Sequence, residues 1–229
     1  MTSHAPLRRM DLIRGGLVPY AEALAWQRRL VAARSAGEVP DTLLLLEHPP
    51  TITLGVRADP AHVLLSAEQL AGRGLALVAS DRGGDVTYHA PGQLVGYPVL
   101  KLSHHGADLG RYVRTLEEVI IRTLADYGLV GERVAGLTGV WVHGGTAKIC
   151  ALGVRLSASG VTSHGFALNV APDLAGFAQI VPCGISDRAV TSLEALLGTA
   201  PALVDVEQRV LAHFCALFGV TCEPRDTPS

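Results

Sequence analysis

Two residues could do chemistry of their own. Cys183 is held between Pro182 and Gly184, in a loop that follows a run of strands and precedes a helix. Reactive side chains favour such loops on a rigid scaffold. Lys148 begins the apolar stretch Ala147 to Leu156. Strict alternation predicts that Lys148 shares a face with Cys150, Leu152, Val154 and Leu156, leaving Arg155 on the other face. A lysine among apolar side chains needs a partner or loses its proton. Taken alone, Lys148 reads more plainly as a strand-start residue whose amine reaches water.

Two other stretches could bind a ligand. In Arg82-Gly83-Gly84-Asp85-Val86-Thr87-Tyr88-His89-Ala90-Pro91-Gly92-Gln93 a double glycine precedes a strand and a Pro-Gly pair follows it. Bare backbone lets a ligand approach, and Arg82, Thr87, Tyr88 and His89 offer polar contacts beside it. A hairpin whose glycines serve its turns explains the same residues equally well. Thr162 to Val170 places His164-Gly165 at a strand start and Asn169 inside an apolar run, where a satisfied structural role is the usual one. The remaining cysteines look inert. Cys215 falls in a helical stripe with Leu211, Phe214 and Phe218, Cys150 in a strand's apolar phase, and Cys222 near the chain end.

These residues need a frame. Of 229 residues 48% are hydrophobic and 17% charged, enough for a sizeable core in one domain spanning 1–229. The net charge of -2 gives no sign of a nucleic-acid binder. The apolar run Thr42 to Leu46 is far too short to cross a bilayer, and Met1 to Asp11 has no signal-like apolar core. A cytoplasmic chain with reduced thiols is the expectation. The adjacent pair His104-His105 has no metal-ligand spacing, so neither metal nor cofactor is expected. Helices are predicted over Tyr20 to Arg34, Ser66 to Ala71 and from Leu109 to Leu124, the last capped by Asp108. Strands are predicted over 42–46, 51–54, 75–79, 86–88, 93–100, 140–142, 147–156 and 161–170. Capping boxes starting at Thr191 and Asp205 announce two closing helices, and the tail 223–229 is expected to fray. Hairpin-like strands with helices at both ends and one between give an α+β fold: a mixed sheet packed against helices.

Taken in order, RGGDVTYHAPGQLVGYP, GVWV, AKICALGVRL, VTSHGFALNV and VPCGI followed by VTSL closely resemble the lipoyl(octanoyl) transferase family, over roughly Glu47 to Leu196. One departure is Ala90, where the family usually has glycine. The resemblance implies the fold of the biotin and lipoate protein ligase catalytic domain. It implies transfer of an octanoyl group from octanoyl-acyl carrier protein to a lysine of lipoyl domains, as in 2-oxoacid dehydrogenases and the glycine cleavage H protein. It implies Cys183 as the acylated nucleophile and Lys148 as its activator. Its acyl-binding segments fall on Arg82 to His89 (Arg82, Gly83, Gly84, Asp85, Val86, Thr87, Tyr88, His89), on Ala151, Leu152 and Gly153, and on Gly165, Phe166 and Ala167.

That chemistry suits these residue types. A thioester arrives activated, so no ATP is needed. A cysteine can take the acyl group and pass it on, which lets two protein partners use one site in turn. A free thiol titrates near pH ~8.5, and a neighbouring ammonium lowers that value. Small residues such as Ala151, Gly153, Gly165 and Ala167 leave room for a C8 chain. Backbone amides near Gly165 or Cys183, or the His89 side chain, are candidate oxyanion donors. An ATP-dependent lipoate or biotin protein ligase, and a non-catalytic module that binds acyl carrier protein, are the competing readings. Neither needs Cys183.

Overall fold

The computed structural model describes residues 7–181 and 188–227. The chain runs β1 (Arg8–Leu17), α1 (Tyr20–Ala36), β2 (Thr42–Glu47), β3 (Thr51–Leu54), α2 (Ala67–Gly72), β4 (Ala76–Ala79), β5 (Val86–His89) and β6 (Gln93–Val99). It continues through α3 (Leu109–Ala125), β7 (Glu132–Val134), β8 (Leu137–Val142), β9 (Ala147–Leu156), β10 (Thr162–Asn169), β11 (Ala189–Val190), α4 (Leu193–Leu197), α5 (Leu203–Phe218) and β12 (Val220–Pro224). Among the described residues the main sheet has the order β12-β1-β2-β6-β10-β9-β8-β7, with β11 beside β9. A small sheet, β4-β3-β5, stands apart from it. Parallel pairs (β12 with β1, β1 with β2) meet antiparallel ones (β2 with β6, β6 with β10), so the sheet is mixed as expected.

β2 explains the architecture. It is apolar without alternation because both of its faces are covered. Leu43 and Leu45 join the cluster under α3 and α5, while Leu44 and Leu46 join the cluster under α1. α3 presents Tyr112, Leu116, Val119, Ile120 and Leu124 to the first cluster, all fully buried. Asp108 caps it by accepting from Arg111 N at 2.7 Å. No helix among the described residues is long and apolar enough to cross a membrane.

Several boundaries differ from expectation. β1 escapes prediction because Arg8, Arg9, Asp11 and Arg14 interrupt its apolar pattern. Asp11 is nonetheless buried, and Arg225 donates to its carboxylate. That contact corrects the reading of the tail as frayed from Glu223. Glu223 and Pro224 pair with Asp11 and Leu12, and Arg225 N donates to Leu12 O at 2.8 Å. Ser192, rather than Thr191, caps α4, because Thr191 is pinned as extended chain: its N–H donates to Lys148 O and its carbonyl accepts from Asn169. α5 starts at Leu203, just after Pro201, so Asp205 lies in its first turn instead of capping it.

Candidate functional site

A slot opens between the N-terminal end of α1, the segment from Arg82 to His89, and the β9–β10 floor. β5 sorts that segment by alternation. Thr87 and His89 line the slot, whereas Val86 and Tyr88 turn into the core of the small sheet, where Tyr88 meets Phe177 edge-on at 5.3 Å. Asp85 lines an adjoining open cleft and accepts from His62 Nδ1 at 2.6 Å. The expected binding segment is therefore half wall and half core. Arg82 is buried, and its guanidinium donates to Thr53 Oγ1, Thr53 O and Gly83 O, which ties the loop to β3. Gly83 N donates to Val154 O at 3.0 Å, and a Cβ on Gly153 would stand 2.8 Å from Gly83 O. The glycines here let loop and strand touch backbone to backbone. Gly84, at φ +94, adopts a conformation that other residues rarely hold.

β9 departs from simple alternation at the position that matters most. Trp141 pairs with Lys148 and Val140 with Cys150, so Ile149 is an extra residue in the ladder, a bulge. Ile149 and Cys150 consequently both enter the core cluster, and Leu152 and Val154 pack against it. Lys148 lies on the opposite face, with Ala151 and Gly153, in the wall of the slot. The expectation that Lys148 shares a face with Cys150, Leu152 and Val154 is thus corrected, because the bulge reverses the phase. Ala151 pairs with Ala167 and Gly153 with Gly165, so the floor carries methyl groups or nothing. Leu152 and Phe166 reach the slot's edge from the core side. Lys148 Nζ sits 4.6 Å from the centre of the buried Trp141 ring, and the Arg188 guanidinium lies 5.2 Å from the same ring.

Cys183 lies outside the described residues. On the near side, Val181 N donates to His62 O at 2.8 Å. On the far side, Ala189 and Val190 pair with Ala147 and Lys148. Cys150 is fully buried, and burial pushes its thiol up. Cys215 and Cys222 are half-buried on the far side of the sheet, with their sulfurs 3.3 Å apart.

Sequence reading passed over Tyr20, Tyr97 and His164 as slot residues, and His48 behind them. They come from four distant elements, so no local pattern joins them. His48 Nδ1 donates to Val18 O at 2.7 Å, which leaves Nε2 to accept from Tyr97 Oη at 2.7 Å. Burial holds the His48 imidazole down to about 4. His164 Nε2 donates to Asp81 Oδ1 at 2.7 Å, and its buried Nδ1 has no hydrogen-bond partner among the described residues. Burial lowers the His164 imidazole even though Asp81 pulls it upward. His89 was a candidate oxyanion donor. Its Nδ1 donates to Gln93 Oε1 at 3.1 Å, and burial keeps its imidazole well below the usual range, so Nε2 is left as an acceptor. Ala90 is buried and its carbonyl accepts from Gln93 N, so the methyl group fits the turn without opening it.

With this geometry in place, similarity to known proteins is informative. Residues 19–215 match the family described as the lipoyl protein ligase A/B catalytic domain. An octanoyltransferase of Chloroflexus aurantiacus is 66% identical over 210 residues, covering 92% of this chain and 93% of its own. Among solved structures, lipoate-protein ligase A bound with ATP superposes with a TM-score of 0.79 at 16% identity, covering 97% of this chain and 90% of that one. Biotin protein ligase from Aquifex aeolicus reaches a TM-score of 0.51 at 14% identity, covering 93% of this chain and 69% of that one. At such identities the two structures speak for the fold alone.

Proposed function

The chain belongs to the lipoyl protein ligase A/B catalytic-domain family and is an acyltransferase of octanoyl transfer in lipoate biosynthesis, and from that premise we propose a two-step route through Cys183. In the first step the Cys183 thiolate attacks the carbonyl of octanoyl-acyl carrier protein, a carbon–sulfur bond forms as the carrier's breaks, and the carrier leaves as a thiol with a proton from Lys148. In the second a lysine of a lipoyl domain attacks the new thioester, its amine proton passes through Lys148 to the departing Cys183 sulfur, and the amide product and free Cys183 thiol remain. The acceptors in this reading are the lipoyl domains of 2-oxoacid dehydrogenases and the glycine cleavage H protein, served in the cytoplasm by one catalytic domain.

One observation carries the reading. The bulge at Ile149 turns Lys148 into the wall of a slot floored by Ala151 and Ala167, and the strand that follows Cys183 runs beside Lys148. A charge beside a thiol favours the thiolate, and a floor of methyl groups suits an alkyl chain. Backbone amides near Gly165 or Cys183 would serve the oxyanion. The test is intact mass after mixing the enzyme with octanoyl-acyl carrier protein in the absence of ATP. One octanoyl group, labile to hydroxylamine, should appear on Cys183 and be absent from Cys183→Ser. Acylation that maps to another cysteine, or that requires ATP, contradicts the reading.

A further inference from the structure

The turn that ends α5 brings two thiols into contact away from the slot. Gly219, at φ +64, closes the helix in the left-handed conformation, and its N–H donates to Cys215 O. β12 follows at once and pairs with β1. Cys215, in the last turn of α5, and Cys222, in β12, stand seven positions apart in the chain with their sulfurs 3.3 Å apart. The gap to a bonded distance of about 2.05 Å is shorter than a carbon–carbon bond. The slot opens on the α1 side of the main sheet, whereas both thiols pack against the apolar cluster under α3 and α5. Each is only half-buried, so a small solute can reach it.

Contact between two thiols changes how they titrate. The S–H of one partner donates to the sulfur of the other, so the first thiolate of the pair forms below the usual thiol range and the second proton is held above it. The Arg14 guanidinium adds positive charge beside Cys222. Cys150 offers the contrast. It is fully buried, burial pushes its thiol up, and its Sγ donates to Ala151 O at 3.6 Å. An accessible thiolate touching a second thiol suits reversible oxidation, because a sulfenic acid formed on one sulfur meets the other before it is oxidised further.

We propose that Cys215 and Cys222 form a dithiol–disulfide site that hydrogen peroxide oxidises reversibly, on the opposite side of the sheet from the slot. The first thiolate attacks the peroxide O–O bond. One oxygen stays on that sulfur as a sulfenic hydroxyl, and the other leaves as hydroxide and becomes water with the proton the thiol gave up. The partner sulfur then attacks the sulfenic sulfur, the S–S bond forms, and the hydroxyl leaves as a second water with the partner's proton. Two thiols are oxidised and one peroxide is reduced. The bond ties the last turn of α5 to β12, which stands at the end of the main sheet among the described residues. This site stands apart from the thioester route.

Peptide mapping tests the proposal on one fragment. No lysine or arginine lies between Arg209 and Arg225, so trypsin leaves both cysteines in the peptide 210–225. The folded enzyme is treated with hydrogen peroxide, blocked with iodoacetamide and digested. Peptide 210–225 should then lack two hydrogens and carry no alkyl group, and dithiothreitol added before the block should restore two alkyl groups. Cys215→Ser and Cys222→Ser each leave one sulfur without its partner. In at least one of them dimedone should capture that sulfur as sulfenic acid, while wild-type peptide 210–225 closes instead. Both variants should transfer octanoyl at the wild-type rate before oxidation. Two alkyl groups on the peroxide-treated wild-type peptide overturn the proposal. So do a bond from Cys215 or Cys222 to any other cysteine, oxidation that dithiothreitol does not reverse, and dimedone capture in neither variant.

Discussion

The two faces of β9 differ in kind. One face gives Ile149 and Cys150 to an apolar cluster completed by α3 and α5. The other gives Lys148, Ala151 and Gly153 to the slot, where the neighbouring polar groups include Tyr20, Arg82, His89, Tyr97 and His164, with His48 behind Tyr97. The first face packs into an apolar core. The second keeps imidazoles neutral and fixes their tautomers through acceptor-only partners. One bulged residue, Ile149, separates the two regimes. Stability and chemistry should therefore be separable along a single strand.

The sharpest break should come at Lys148. Lys148→Met keeps length and apolar bulk while removing the charge. Octanoyl transfer should fall by about 10²- to 10⁴-fold in steady-state assays, with the thermal midpoint almost unmoved. On the opposite side, Phe214→Ala removes a fully buried ring stacked at 4.4 Å on Phe218. It should cost about 3–5 kcal/mol in denaturant melts, yet folded molecules should transfer at the wild-type rate. Equal losses of activity and stability in both variants would erase the distinction between the faces.

Much of this frame is legible in the sequence. β2 reads as a strand buried on both faces, and α3 reads from its stripe and its Asp108 cap, because those signals are local and periodic. β1 does not, since its buried Asp11 is satisfied by Arg225 from the other end of the chain. The face of Lys148 was misassigned for a similar reason. A bulge is set by the register with β8, which no property of β9 alone announces. The slot itself was half legible. The small residues of β9 and β10 mark its floor, whereas Tyr20, Tyr97 and His164 are assembled from separate elements.

Smaller changes sharpen the comparison within the slot. Ala151→Leu should fill the floor and lower uptake of octanoyl thioesters by about ten- to a hundredfold, with butanoyl thioesters less affected. Equal losses for both chains in a competition assay would mean that the acyl group lies elsewhere. The slot's histidines also predict a pH dependence of stability. The folded pKa of His48 is depressed to about 4, and that of His89 is also lowered, both chiefly by burial. The unfolded chain therefore binds more protons below about pH 6.5. Stability from these groups is fully present above that value and is lost as pH falls toward 4, at up to about 1.4 kcal/mol per pH unit for each group. Denaturant melts at a series of pH values read the slope, and replacing His48 by Gln should flatten it.

The most direct test of the account is the pH profile of Cys183 alkylation by iodoacetamide, with wild type and Lys148→Met measured in parallel. If the charge in the slot wall activates the thiol, the wild-type midpoint lies below the free value of about 8.5, and the variant returns toward it. The variant should recover thiol reactivity at high pH, while transfer to the lipoyl-domain lysine stays impaired. Superimposable profiles would show that Lys148 does not act on the thiol, and the pairing of Cys183 with Lys148 would fall.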